Sequence, residues 1–94
     1  MIKVNGVDLF RNGIKLGWVQ NGYLFNHMGN KIGYVSGNLI YDHATAKKIA
    51  YIEGEYVYYV NMSKKMRIED EIAGIEAGQF SNATRVAIKI FFGN

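Results

Sequence analysis

The sequence predicts an all-β fold: four β-hairpin repeats, arranged as petals around a pseudo-fourfold axis, plus a C-terminal strand. Three observations carry this expectation. A unit of about 16 residues recurs along the chain. The apolar runs inside each unit are short, β-branched and aromatic, which suits half-buried strands. The links between runs are built from Asn and Gly, because the 94 residues include 11 Gly and no Pro.

The first row opens at Asp8 with Leu9-Phe10, turns at Asn12-Gly13 and closes through Leu16-Gly17-Trp18-Val19. Asn-Gly is a strong hairpin tip, since a two-residue turn matched to strand twist needs positive φ at both positions. The second row runs from Tyr23 to Asn38, opening with Leu24-Phe25 and closing with Ile32-Gly33-Tyr34-Val35. The third runs from Leu39 to Glu55, opening with Ile40-Tyr41 and closing with Ile49-Ala50-Tyr51-Ile52. The fourth opens with Val57-Tyr58 and is expected to resume, after an insertion of roughly seven residues, as Ile72-Ala73-Gly74-Ile75. A Lys precedes the closing block in three rows (Lys15, Lys31, Lys48), and Glu71 takes that place in the last.

Strand alternation places Leu16 and Trp18 on one side and Gly17 and Val19 on the other. The small column Gly17, Gly33, Ala50, Ala73 implies close approach of backbone or bulky groups, and it is expected near the centre of the pseudo-symmetric arrangement. A plain β-meander that merely tolerates Gly is the alternative. The tail, Val86 to Phe92, alternates with Val86, Ile88, Ile90 and Phe92 on one face, and is expected to pair as a strand with Ile2 to Val4. A helical stripe through Ile68, Ile72 and Ile75 competes with the strand reading there, and a short helix across Lys64 to Asp70 is the alternative for the fourth tip. The whole chain, 1–94, reads as one domain, with repeats over 8–80 and the closing strand over 81–94.

The rows NGIKLGWVQNGYLFNHMGNKIGYVSGNLIYDH resemble the 4-fold β-flower domain family, whose repeats follow an Asn-Gly-Lys, aliphatic-Gly-aromatic scheme. The resemblance covers Asp8 to Tyr59, extends to Glu71–Gly78 and fades in the tail. It implies a fold of four hairpin petals about a pseudo-fourfold axis, and it implies no activity or catalytic residue. The long fourth tip and Gly74 in an aromatic column depart from the scheme.

Composition removes several functions. With no Cys, disulfides, thiolate metal sites and Cys nucleophiles are excluded. No phosphate-binding Gly loop and no nucleophile-elbow Ser occurs. Glu53 and Glu76 share a repeat column, which fits a solvated rim better than a tuned acid pair. The expectation is no enzyme and no cofactor. His27 and His43 occupy equivalent tips and are weak metal candidates; two imidazoles fall short of the three or four ligands a zinc site needs, and His also suits positive-φ turns. Neither a signal peptide nor a membrane-spanning run is read, so a cytoplasmic, membrane-free protein is expected.

The aromatics point to recognition. The chain has 7 Tyr, 5 Phe and 1 Trp, more than one face of so small a sheet can absorb. Exposed aromatic rows bind sugar rings, peptides or bases. Trp18, Tyr34, Tyr51 and Tyr59 are the candidate ligand-binding residues of a module for a protein or glycan partner. Tyr56 and Tyr58 are expected on one face of their strand, Val57 and Tyr59 on the other. The net charge is +3, with the excess in residues 1–67, so nucleic-acid binding is the runner-up, with Lys64, Lys65 and Arg67 as a basic loop. Self-association into a homo-oligomer is a third reading.

Overall fold

A computed structural model describes residues 1–93. Nine antiparallel strands form one open sheet in sequential order: β1 (Lys3–Asn5), β2 (Asp8–Arg11), β3 (Ile14–Gln20), β4 (Tyr23–Asn26), β5 (Lys31–Ser36), β6 (Leu39–Asp42), β7 (Lys48–Glu53), β8 (Tyr56–Tyr59) and β9 (Lys65–Arg67). Two helices follow, α1 (Ile68–Glu71) and α2 (Asn82–Phe92). The tight links are the Asn-Gly pairs read from sequence. Asn12 and Gly13 have φ of 53° and 78°, and Asn21 and Gly22 have 54° and 84°, the paired positive φ that twisted two-residue turns require.

The hairpins repeat in their backbone as well as in their residues. A bulge follows the buried aliphatic in three of them, between Leu9 and Phe10, Leu24 and Phe25, and Ile40 and Tyr41. One backbone hydrogen bond recurs four times: the N–H groups of Val19, Val35, Ile52 and Ile68 donate to the carbonyls of Val7, Gly22, Asn38 and Glu55 at 2.8–2.9 Å. Its fourth member corrects the expected alignment. Row four closes at Lys65–Ile68, with Met66 opposite Val57, and the repeat runs on at nearly constant spacing with no insertion. Ile72-Ala73-Gly74-Ile75 copies the third row's letters without its pairing. That segment forms turns after α1, with Ala73 exposed, and its one sheet-like contact is a parallel bridge from Ile75 to Ile2.

The bulge also corrects the facing of β3. An extra residue in a strand resets alternation, so Leu16 packs with Gly17 and Val19 toward the core while Trp18 faces away. On the inner face Leu9, Leu24, Ile40 and Val57 are fully buried. Opposite the first three stand Gly17, Gly33 and Ala50.

The expected C-terminal strand is a helix. Among the described residues, 81–93 supply no closing strand; Ser81 caps α2, its Oγ accepting from the Thr84 N–H at 3.2 Å. The tail's letters satisfy two periods, and the stripe Ala83, Val86, Ala87, Ile90 is helical. Coverage decides between them. An open sheet with one apolar face must bury that face against another layer, and α2 lies across it with Ala83, Val86, Ala87 and Ile88 buried. Close approach explains two positions of the small column: a Cβ on Gly33 would sit 2.6 Å from Cζ of Phe91, and one on Gly17 would meet the backbone carbonyl of Phe25 first and Cζ of Phe92 at 3.0 Å. The sequence expectation of backbone or bulky groups approaching the column holds for these two positions: a helix aromatic at Gly33, and the neighbouring strand's backbone together with a helix aromatic at Gly17.

Polar contacts fix the helix ends. A guanidinium nitrogen of Arg11 donates to the Phe92 carbonyl at 2.6 Å. Arg85 reaches the carbonyls of Ile72 and Ile75, tying the post-α1 turns to α2. The N-terminus is held by Ile2 N–H on the Gly74 carbonyl at 2.7 Å and Glu76 N–H on the Ile2 carbonyl at 3.0 Å.

Candidate aromatic-lysine face

The sheet face away from α2 carries the other half of each strand's side chains. Register groups them into three rows, each crossing four strands. The first is Asp8, Trp18, Phe25, Lys31. The second is Tyr23, Tyr34, Tyr41, Lys48. The third is Leu39, Tyr51, Tyr58, Lys65. Each row therefore centres on a cross-strand aromatic pair and ends on a Lys. Directly opposed aromatics on one face are a favourable pairing in sheets.

The pairs are well formed. Trp18 and Phe25 stack at 5.1 Å between ring centroids with 11° between planes, and Tyr51 and Tyr58 stack at 5.0 Å and 9°. Tyr34 lies 4.7 Å from Tyr23 and 6.1 Å from Tyr41, both tilted. An ammonium stands over a ring in every hairpin: Lys15 over Trp18 at 5.0 Å, Lys31 over Tyr23 at 4.1 Å, Lys48 over Tyr51 at 5.2 Å and Lys65 over Tyr56 at 4.0 Å. At exposed sites such contacts contribute only about 0.5–1 kcal/mol, so a ligand ring can displace the ammonium at small cost. At the middle row, Tyr23, Tyr34, Tyr41, Ser36 and His43 line a shallow cleft of about 340 Å³. The His43 ring meets the edge of Tyr23 at 6.1 Å.

Of the sequence-nominated residues, Trp18, Tyr34 and Tyr51 share this face, one in each row. Tyr59 does not. Tyr56 and Tyr58 do face outward as alternation requires, and Tyr59 faces inward, packed against the core. Its hydroxyl donates to Glu71, whose other carboxylate oxygen lies 3.9 Å from the Lys89 ammonium. Burial first, and then the Glu71 carboxylate, push its phenol above the ordinary value. Tyr59 is thus a tie between β8 and the helices. Of the basic-loop residues, Lys65 and Arg67 lie on β9 at the edge of the aromatic face, Arg67 paired with Glu69 at 3.0 Å, and Lys64 sits in the exposed tip.

His27 and His43 lie in exposed tips. Among the described residues no three His, Cys, Asp or Glu side chains gather as a metal site. The tips are shaped by local hydrogen bonds instead: Asn26 Oδ1 accepts from the N–H groups of Met28 and Asn30, and Asp42 Oδ2 from Thr45, the self-turning chemistry of Asx residues.

Sequence reasoning missed Tyr23, Phe25, Tyr41 and the Lys column as parts of this surface. The signal was present as a Lys recurring ahead of the closing block in three rows, but its facing depended on the bulge that turns Lys15, Lys31 and Lys48 outward. Among the described residues no helix is long and apolar enough to cross a membrane. No family model, curated protein or solved structure matches the chain.

Proposed function

We propose that this protein is a non-catalytic recognition module whose aromatic-lysine sheet face binds a ligand that presents flat rings. One observation carries the reading: three cross-strand aromatic pairs, each with an adjoining Lys, line up on a face that the core does not use. Protein and glycan partners, and nucleic acid as the alternative, all meet such a face through ring stacking.

The kinship to the 4-fold β-flower family, and with it the treatment of the four hairpins as equivalent petals, belongs to the same proposal. The bulge shared by three hairpins and the backbone hydrogen bond shared by four support it. Self-association through the sheet edges is the weaker reading. Both edge strands, β1 and β9, have only 3 residues and carry Lys3, Lys65 and Arg67, features that discourage strand addition.

Trp18 is the only Trp and reports on this face. The test is Trp18 fluorescence together with amide-shift mapping by NMR, against neutral oligosaccharides, short peptides and oligonucleotides. Perturbation centred on Tyr34, Tyr41, Tyr51 and Tyr58 in any arm supports the reading. Perturbation confined to the α2 side, or none in any arm, refutes it.

A further inference from the structure

We infer that the ligand of the aromatic-lysine face is single-stranded nucleic acid, with unpaired bases stacking on the ring pairs and phosphates meeting the Lys column; this rests on the recognition reading above. Charge separates this ligand from a neutral glycan. The register puts Lys3, Lys15, Lys31, Lys48, Lys65 and Arg67 on the face, against Asp8, Glu53 and the Glu69 that pairs with Arg67. Asp42 also lines the cleft of the middle row, so six cations meet four carboxylates here and two of the chain's three net positive charges sit on this face. Asp8 engages Lys15 at 3.1 Å. Lys31, Lys48 and Lys65 have no carboxylate partner among the described residues.

Geometry points the same way. Ring pair and Lys recur every second strand, a step of about 10 Å at the usual strand spacing. A polymer that alternates flat rings with anionic groups matches a surface that alternates ring pairs with ammonium groups. In the free protein each ammonium covers a ring at 4.0–5.2 Å. A base that takes its place over the ring leaves the flexible Lys free to swing to the adjoining phosphate. The bases must be unpaired, because a duplex buries its ring faces in its own stack.

The test is fluorescence anisotropy of a labelled oligothymidylate about twelve nucleotides long, long enough to cover one stacking platform. Micromolar binding is expected, with a log–log salt slope of about −2 to −3, the value for three or four phosphate contacts on a single strand. An abasic backbone of equal length should bind about tenfold more weakly, the loss expected for one stacked base. Tyr41→Leu should weaken binding by a similar factor. The exposed pair Lys31→Gln with Lys48→Gln, which leaves the core untouched, should weaken it and flatten the slope by about one unit or more. Equal affinity for abasic and base-bearing strands, preference for duplex, or no effect of the Lys pair would overturn the inference. If cellohexaose or a peptide shifts the outer-face amides and the oligothymidylate does not, the nucleic-acid assignment falls while the recognition face stands.

Discussion

Gly33 is where the fit between sheet and helix is most directly testable. Replacing Gly33 by Ala adds one methyl on the inner face of β5, 2.6 Å from Cζ of Phe91. Cε2 of the same ring lies nearer still, so the ring must retreat by more than about 1 Å to reach the ~3.5 Å carbon–carbon optimum. Two effects oppose each other. Ala restricts the unfolded chain and stabilises by about 0.4–1 kcal/mol where its backbone fits, and no positive φ is recorded at Gly33. Overpacking costs about 1–3 kcal/mol. The ring is half-buried and packed against the core, which limits its retreat, so the steric cost wins and a net loss of about 1–2 kcal/mol is expected. For a chain of this size the midpoint of thermal unfolding should fall by about 5–15 °C. Circular dichroism during heating and urea titration measures it. Phe91→Leu in the Gly33→Ala background removes the clash, so the double variant should lose at least ~0.5 kcal/mol less than the two single losses together. Gly74→Ala is the control, because nothing lies within 4 Å of its Cβ, and it should change stability by less than ~0.5 kcal/mol. Unchanged stability of Gly33→Ala, or strict additivity with Phe91→Leu, would show that the helix aromatics do not demand the glycine.

Other expectations follow from single contacts. Ser81→Ala removes the cap of α2 and should cost about 1 kcal/mol in urea unfolding, because that helix covers the core. Ala46 holds φ of 58°, so Ala46→Gly should raise stability by about 0.5–1 kcal/mol. The folded phenol of Tyr59 titrates above its ordinary value near 10 because burial and Glu71 disfavour its anion. Its contribution is therefore complete below about pH 10 and is lost as pH rises beyond that. Tyr59→Phe should flatten the alkaline limb of the stability curve, and an unchanged limb would place the titration elsewhere.

The sequence alone determined the local units. Asn-Gly tips, the aliphatic-aromatic pair that opens each row, and Gly17 and Gly33 as points of close approach were legible, because turn chemistry and two-residue alternation act over a few residues. Tertiary structure decided three things that those rules could not reach. The bulge after Leu9, Leu24 and Ile40 turned Leu16 inward and Lys15, Lys31 and Lys48 outward, and a bulge is seen only against its partner strand. The fourth hairpin closed at Ile68 because its N–H meets the Glu55 carbonyl, although Ile72 to Ile75 repeats the letters of the third row more faithfully. Residues 82–92 satisfied both strand and helix periods, and the helix prevailed because the inner sheet face needed a cover rather than another strand. The aromatic-lysine face inherits all three decisions: side chains separated by 16 or so residues become one surface only when register aligns them.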